Sequence, residues 1–129
     1  MKKVILSLAV IAALGLISCK NETKKETTNA VIAKGMAMKE VSFGVRGNCG
    51  MCKKTIEKAA NNVQGVASAI WDVDKKTIDV SFDAAKTDIM EIHKAIATSG
   101  YDTEKAEASV SAYENLPGCC QYDHDMQIN

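Results

Sequence analysis

The sequence predicts an α+β domain in which one antiparallel sheet is covered on a single face by two helices. Three observations support this prediction. Apolar and polar residues alternate in three short segments, which is typical of strands with one buried face. Two other segments carry apolar residues at helical spacing. The resulting order is strand–helix–strand–strand–helix–strand over about 70 residues, which fits a split βαβ arrangement with a four-stranded sheet.

The first half of this order is a strand, a helix and a second strand. The first strand is KEVSFGVRG, with the inward-facing residues Val41, Phe43 and Val45. Gly47 and Asn48 break the alternation, and the helix MCKKTIEKAANNV follows, with Gly65 after its end. The second strand is VASAIWDVD, in which we expect Trp71 to lie on the buried face.

The second half repeats the pattern. The third strand is TIDVSFD, the clearest alternation in the chain. Asp88 is a suitable N-cap for the helix DIMEIHKAIATSG, which Gly100 ends, and His93 lies beside its apolar stripe at the boundary of the core. A weaker fourth strand, YDTEKAEA, closes a ferredoxin-like βαββαβ fold. We therefore expect the domain to span residues 37–108 and no core position to lie beyond residue 108.

The N-terminus predicts export and a lipid anchor. Two lysines precede a 14-residue apolar run that would rise ~21 Å as a helix, less than the ~30 Å hydrocarbon core of a bilayer. The run ends Leu-Ile-Ser-Cys, which resembles a bacterial lipobox. We expect residues 1–18 to be a lipoprotein signal peptide, Cys19 to carry the lipid and residues 19–36 to be a flexible linker. The expected location is the periplasm-facing side of the cell envelope, and Lys20 after the lipid site favours the outer membrane.

Charge excludes one class of partner. The chain has 16 basic and 16 acidic residues, and loss of Lys2 and Lys3 with the signal peptide would make it slightly acidic. No block of basic residues remains that could follow a phosphate backbone, so we expect no nucleic-acid partner.

The segment RGNCGMCKK places Cys49 and Cys52 where the first strand meets the first helix. A C-x-x-C pair can be a metal site, a redox-active dithiol or a structural disulfide, and the spacing does not decide among them. The positive helix end, Lys53 and Lys54 favour thiolates, and two soft thiolates suit Cu(I). Structural zinc is almost always four-coordinate, and this stretch does not supply so many ligands.

Residues 38–107 resemble the heavy-metal-associated domain family of copper chaperones, metal-pumping ATPase modules and periplasmic mercury-binding proteins. The similarity lies in the C-x-x-C position, the turn ending in Gly65, the acidic end of the third strand, and the Ser-Gly-Tyr after the second helix. The resemblance implies that Cys49 and Cys52 bind the metal and that Tyr101 packs near it. It implies a non-enzymatic carrier of Cu(I), with Hg(II) or Zn(II) as alternatives, and a metal-exporting ATPase or efflux component as its partner.

Two positions depart from the family pattern. A methionine usually packs beneath the metal loop, but this chain has Gly47 there, which we expect to loosen the loop. Zinc-preferring members resemble G-M-D-C, whereas here the residue before the first cysteine is the neutral Asn48. Copper is therefore the favoured ion.

Two other functions use the same cysteine pair. An envelope thiol–disulfide oxidoreductase would need a proline facing the dithiol, but the only proline, Pro117, lies in the C-terminal tail. A metal sensor would bind the same ion and deliver it to no acceptor. We see no other catalytic constellation, and we expect the protein not to be an enzyme.

The tail, residues 109–129, contains further metal-binding side chains. These are Cys119, Cys120, His124 and Met126. They could form a second metal site, lend thiolates to Cys49 and Cys52, or pair as a disulfide, and the tail could equally be idle.

Overall fold

The computed structural model describes residues 37–128. The predicted signal peptide (1–18), the lipid site Cys19 and the linker (19–36) lie outside the described residues. No helix within residues 37–128 is long and apolar enough to cross a bilayer.

The described segment contains three strands, three α-helices and one 3₁₀ turn. In chain order these are β1 (Met38–Gly44), α1 (Gly50–Asn61), β2 (Val66–Asp72), β3 (Thr77–Asp83), α2 (Ile89–Thr98), α3 (Val110–Glu114) and the 3₁₀ turn (Gly118–Cys120). The sheet order is β1-β3-β2, and both pairs of neighbouring strands are antiparallel. The predicted α+β class and the antiparallel sheet are confirmed.

The core lies between one face of the sheet and the helices. Alternate strand residues, among them Phe43, Trp71 and Val80, join Ile56 of α1 and Ile96 of α2 in one buried cluster. The opposite face of the sheet is open to solvent. This one-sided burial produces the alternation seen in the sequence.

The ends of α2 match the prediction. The Asp88 side chain accepts a hydrogen bond from the backbone N–H of Glu91 at 3.1 Å, as an N-cap does. Gly100 follows the helix with a φ of 103°, a left-handed conformation that glycine adopts without steric cost.

The predicted fourth strand is reduced to one antiparallel bridge between Val45 and Thr103, so the four-strand count is not confirmed. The hydroxyl of Thr103 accepts the N–H of Ala106 at 3.0 Å, and the carboxylate of Asp102 accepts the N–H of Ala108 at 2.9 Å. These side chains accept hydrogen bonds from backbone N–H groups that, in a strand, would donate to the neighbouring strand. The chain therefore turns after Thr103 and does not continue along the sheet.

The expectation that no core position lies beyond residue 108 is wrong. We call residues 109–128 the C-terminal strap. Cys120 and Tyr122 of the strap are only 1% and 2% exposed and belong to the core cluster. The Tyr122 hydroxyl accepts the N–H of Asp102 at 2.8 Å and donates to the carbonyl of Gly100 at 3.1 Å. The strap is therefore part of the folded domain.

His93 is another correction, because it is fully buried and does not lie at the edge of the core. Its Nδ1 is 2.7 Å from the hydroxyl of Thr103, and its ring centroid is 3.9 Å from that of Phe43. Burial lowers the pKa of His93, and the nearby Lys105 acts in the same direction. The neutral imidazole is therefore the form that fits the core.

Candidate metal centre

The C-x-x-C pair occupies the start of α1. Cys49 is the N-cap residue, with an extended backbone (φ −150°), and Cys52 is buried in the first turn. Their Sγ atoms are 3.7 Å apart, and the backbone N–H of Asn48 donates to the sulfur of Cys52 at 3.3 Å. Both thiols thus lie where a helix offers N–H groups that have no partner within the helix.

The position of Cys49 changes its acidity. Backbone N–H groups of Cys52 and Met51 point at its sulfur and lower the pKa of Cys49 to about 7, although burial acts in the opposite direction. The first turn of α1 has no acidic residue that would oppose this effect. Near neutral pH a large share of Cys49 is therefore thiolate, the form that binds metals.

The two lysines after the pair have different surroundings. The Nζ of Lys53 is 2.5 Å from the carboxylate of Glu57 and 2.5 Å from the carbonyl of Trp71. Its charge is thus matched by a carboxylate next to β2. Lys54 is exposed to solvent.

The metal loop lies directly over Trp71, and the expected loosening at Gly47 stays a prediction. A Cβ atom at Gly47 would lie 3.0 Å from Cη2 of Trp71 and 3.2 Å from Cδ1 of Ile56. The indole N–H of Trp71 donates to the carbonyl of Val45 at 3.2 Å, which fixes the ring beneath the loop. The tryptophan of β2 therefore fills the space under a loop that has no side chain of its own at Gly47.

The C-terminal strap brings a second pair of thiols to the same place. The Sγ atoms of Cys49, Cys119 and Cys120 all lie within 4.8 Å of one another. Those of Cys119 and Cys120 are 4.0 Å apart, and the four cysteines within the described residues are free thiols. Cys119 is exposed and Cys120 is buried.

Asn48 connects the loop to the strap, a role that the sequence did not indicate. Its side-chain amide nitrogen donates to the backbone carbonyls of Cys119 at 3.4 Å and Gln121 at 3.2 Å. An ionised aspartate could not make these bonds, because it has no hydrogen to donate. The neutral residue before the first cysteine thus holds the two pairs of thiols together.

Tyr101 lies against the thiols, on the buried side of the site. Its ring is fully buried, and within residues 37–128 its hydroxyl has no hydrogen-bond partner of normal geometry. Burial raises the pKa of Tyr101, and the adjacent Cys120 and Cys52 add to this effect. Burial likewise raises the pKa of Cys120 to about 12, with a further contribution from Cys52.

The other two metal-ligand candidates of the tail are used elsewhere. Nδ1 of His124 is 2.8 Å from the buried carboxylate of Asp102, which also pairs with Arg46 at 3.5 Å. The backbone carbonyl of Met126 accepts a bond from Nε of Arg46 at 2.9 Å, and its side chain packs on the core. The structure therefore brings Cys119 and Cys120 to the C-x-x-C pair, while His124 and Met126 anchor the end of the strap.

The additional thiols alter one argument about metal choice. The loop alone lacked enough ligands for structural zinc, but the loop and strap together offer four sulfur atoms. Cys52 is outside the group of three whose sulfur atoms are all within 4.8 Å of one another. The four sulfur atoms are thus not all within 4.8 Å of one another, whereas the sulfur atoms of a tetrahedral zinc site lie about 3.8 Å apart.

Comparison with known proteins places this site in context. The family profile described as "Heavy-metal-associated domain" matches residues 47–102. Copper chaperone CopZ of Staphylococcus aureus is 36% identical over 55 residues, covering 43% of this chain and 81% of CopZ. The residues that the family profile matches include Cys49, Cys52 and Tyr101, and the profile ends before Cys119 and Cys120.

Two solved structures are also similar. The crystal structure of oxidised MerP from Ralstonia metallidurans CH34 has a TM-score of 0.51 and 33% identity, covering 53% of this chain and 96% of MerP. The water-soluble region of P-type ATPase CopA from Bacillus subtilis has a TM-score of 0.50 and 30% identity, covering 53% of this chain and 46% of the CopA chain.

Proposed function

Since the chain belongs to the heavy-metal-associated domain family, we propose that it is a Cu(I) carrier that binds the ion through Cys49 and Cys52. One observation supports this proposal above the others. The two thiols are 3.7 Å apart at the N-terminus of α1, where backbone N–H groups lower the pKa of Cys49 to about 7. Such a pair offers soft thiolates at neutral pH, and soft thiolates select Cu(I).

Copper is favoured over zinc by the chemistry around the pair. Asn48 precedes Cys49 and uses its amide as a donor to the strap, so no carboxylate oxygen, a harder ligand, is added at that position. The similarity to a protein named copper chaperone supports the same choice. Hg(II), another soft ion, is the competing cargo that the experiment below distinguishes.

Transfer of the ion is a ligand exchange without a change of oxidation state. A thiolate of the acceptor binds the Cu(I) ion held by Cys49 and Cys52, and a three-coordinate intermediate forms. One cysteine then leaves as a thiolate. Cys49 is partly exposed whereas Cys52 is buried, so an incoming ligand reaches the Cys49 side first. The acceptor we propose is a metal-exporting ATPase or another efflux component.

The proposed location is the cell envelope, with a lipid on Cys19 holding the domain on the periplasmic side of a membrane. The basic start, the apolar run and the Leu-Ile-Ser-Cys sequence support this. The test is Cys19→Ala in the full chain. We expect unprocessed precursor or release of the protein from the membrane fraction. An unmodified mature N-terminus in the wild-type protein, detected by mass spectrometry, would contradict the anchor.

The central experiment is competition for metal under a reductant that contains no thiol. Cu(I), Hg(II) and Zn(II) are each offered to the full chain against a chelator of known affinity. We expect Cu(I) to be retained most tightly and Cys49→Ser/Cys52→Ser to abolish its retention. Ser42→Ala, a change on the exposed face of the sheet, is the matched control. Full retention of Cu(I) by the double variant would overturn the proposal, and repeated turnover of a model disulfide would favour an oxidoreductase.

A further inference from the structure

We propose that Cys119 and Cys120 complete, with Cys49 and Cys52, a single four-sulfur site that takes two Cu(I) ions. This inference rests on the proposed Cu(I) chemistry and extends it to residues outside the matched family segment. It concerns how many ions one chain holds and which part of the chain holds them.

The strap positions its cysteines before any ion is bound. On the C-terminal side of the Cys119–Cys120 pair, the buried Tyr122 is fixed by hydrogen bonds to Asp102 and Gly100. At the pair itself, the Asn48 amide bonds the carbonyls of Cys119 and Gln121, which flank Cys120. The hydroxyl of Tyr113 in α3 donates to the carbonyl of Tyr122 at 2.6 Å. The thiols are therefore held in place by the fold.

The sulfur spacing fits three-coordinate copper. If a metal–thiolate bond is about 2.3 Å long, three sulfur atoms around one ion are about 4.0 Å apart. Cys119 and Cys120 are separated by 4.0 Å, and both lie within 4.8 Å of Cys49. One Cu(I) ion can thus be held by these three sulfur atoms after shifts of less than about 1 Å.

Cys52, the remaining thiol, can bind a second ion together with Cys49. The sulfur of Cys52 is 3.7 Å from that of Cys49 but falls outside the group of three. A single tetrahedral ion would need all four sulfur atoms about 3.8 Å from one another, and here they are not all within 4.8 Å. Two ions that share the thiolate of Cys49 need no such arrangement, because each is bound by only part of the set. Four thiols lose four protons, and two Cu(I) ions leave a net charge of −2 on the cluster. A single Cu(I) ion on the same four thiolates would leave −3.

One chain supplies all four ligands, which favours retention. The strap thiols act at the high effective concentration of an intramolecular ligand, so an ion released by one sulfur is recaptured by its neighbours. We therefore expect the full site to lose copper more slowly than the C-x-x-C pair alone.

The test counts Cu(I) ions bound per full chain under a reductant without thiols, in competition with a Cu(I) chelator. We expect two ions for the wild type and for Glu114→Gln, an exposed strap control. We expect one ion for Cys119→Ser/Cys120→Ser. X-ray absorption should show a copper–copper contact in the wild type and none in the double variant.

Cys119→Ser is the sharper variant, because Cys119 is exposed and its loss leaves the core intact. It should also reduce the count to one ion, with circular dichroism unchanged. The inference would be overturned if the wild type and the strap variants bound the same number of Cu(I) ions per chain, whether one or two. Either result would leave Cys49 and Cys52 as ligands. A single tetrahedral ion per wild-type chain would also overturn it. Undiminished binding by Cys49→Ser/Cys52→Ser would instead overturn the proposed function.

Discussion

Removal of one hydroxyl group from Tyr122 should measurably destabilise the domain. In Tyr122→Phe the ring still fills its buried site, but the N–H of Asp102 loses an acceptor at 2.8 Å and the carbonyl of Gly100 loses a donor at 3.1 Å. Leaving a buried polar group unpaired costs about 1–3 kcal/mol, so we expect a loss of ~2 kcal/mol. For a domain with a urea m-value of about 1 kcal/mol/M, the midpoint should fall by about 2 M.

Tyr101→Phe is the matched control. Tyr101 is equally buried, but its hydroxyl makes no hydrogen bond of normal geometry within the described residues. Its removal should leave the free energy of unfolding unchanged or raise it slightly. The assay is urea unfolding of the metal-free, reduced protein, followed by circular dichroism. If Tyr122→Phe were as stable as the wild type, or if both variants lost the same stability, the strap could not be docked through Tyr122 as described.

Three further predictions concern the loop, the core histidine and the contact between loop and strap. Gly47→Met should cost about 1–3 kcal/mol, because its side chain would overlap Trp71, and thermal unfolding should show this loss shrinking when Trp71→Val provides space. Burial lowers the folded-state pKa of His93, so the stability that its neutral form provides is complete above about pH 6.5 and is lost as the pH falls through the folded pKa. His93→Gln should flatten the dependence of unfolding free energy on pH in that range, and an unchanged slope would contradict the assignment. Asn48→Asp should cost about 1–2 kcal/mol by urea unfolding, since a carboxylate cannot donate to the two strap carbonyls, whereas Asn48→Gln should recover part of the loss.

The sequence predicted the parts of the fold that local patterns encode. Alternation of residues identified β1 and β3, where Val41 pairs with Val80 across the sheet. The cap at Asp88 and the stop at Gly100 were also predicted, because each depends only on residues within one turn. The position of the C-x-x-C pair at the start of a helix could be predicted from the order of the strands and helices alone.

Contacts between distant segments could not be predicted in the same way. The bonds from Asn48 to the strap join residues 71 and 73 positions apart, and no periodicity records them. The strap has no alternating or helical run that would have identified Cys120 and Tyr122 as core residues. The replacement of a loop side chain by Trp71 is a match of volumes between two elements, and a single sequence does not reveal such pairs.

The predictions for His93 and for the fourth strand were not confirmed, and the reason is the same for both. Thr103 bonds to the buried imidazole and also accepts the N–H of Ala106, so it both draws His93 into the core and turns the chain away from the sheet. Predictions made one element at a time do not detect a residue whose side chain bonds to two different segments.

The position of Trp71 provides an optical reporter of the metal loop. It is the only tryptophan in the chain, it is fully buried, and its ring lies where a side chain at position 47 would otherwise pack. Tryptophan emission therefore comes from one site directly beneath the backbone that carries Cys49. Loading of the ion, opening of the strap and refolding of the loop can each be followed by the intensity and wavelength of that emission, with no attached dye and no added residue.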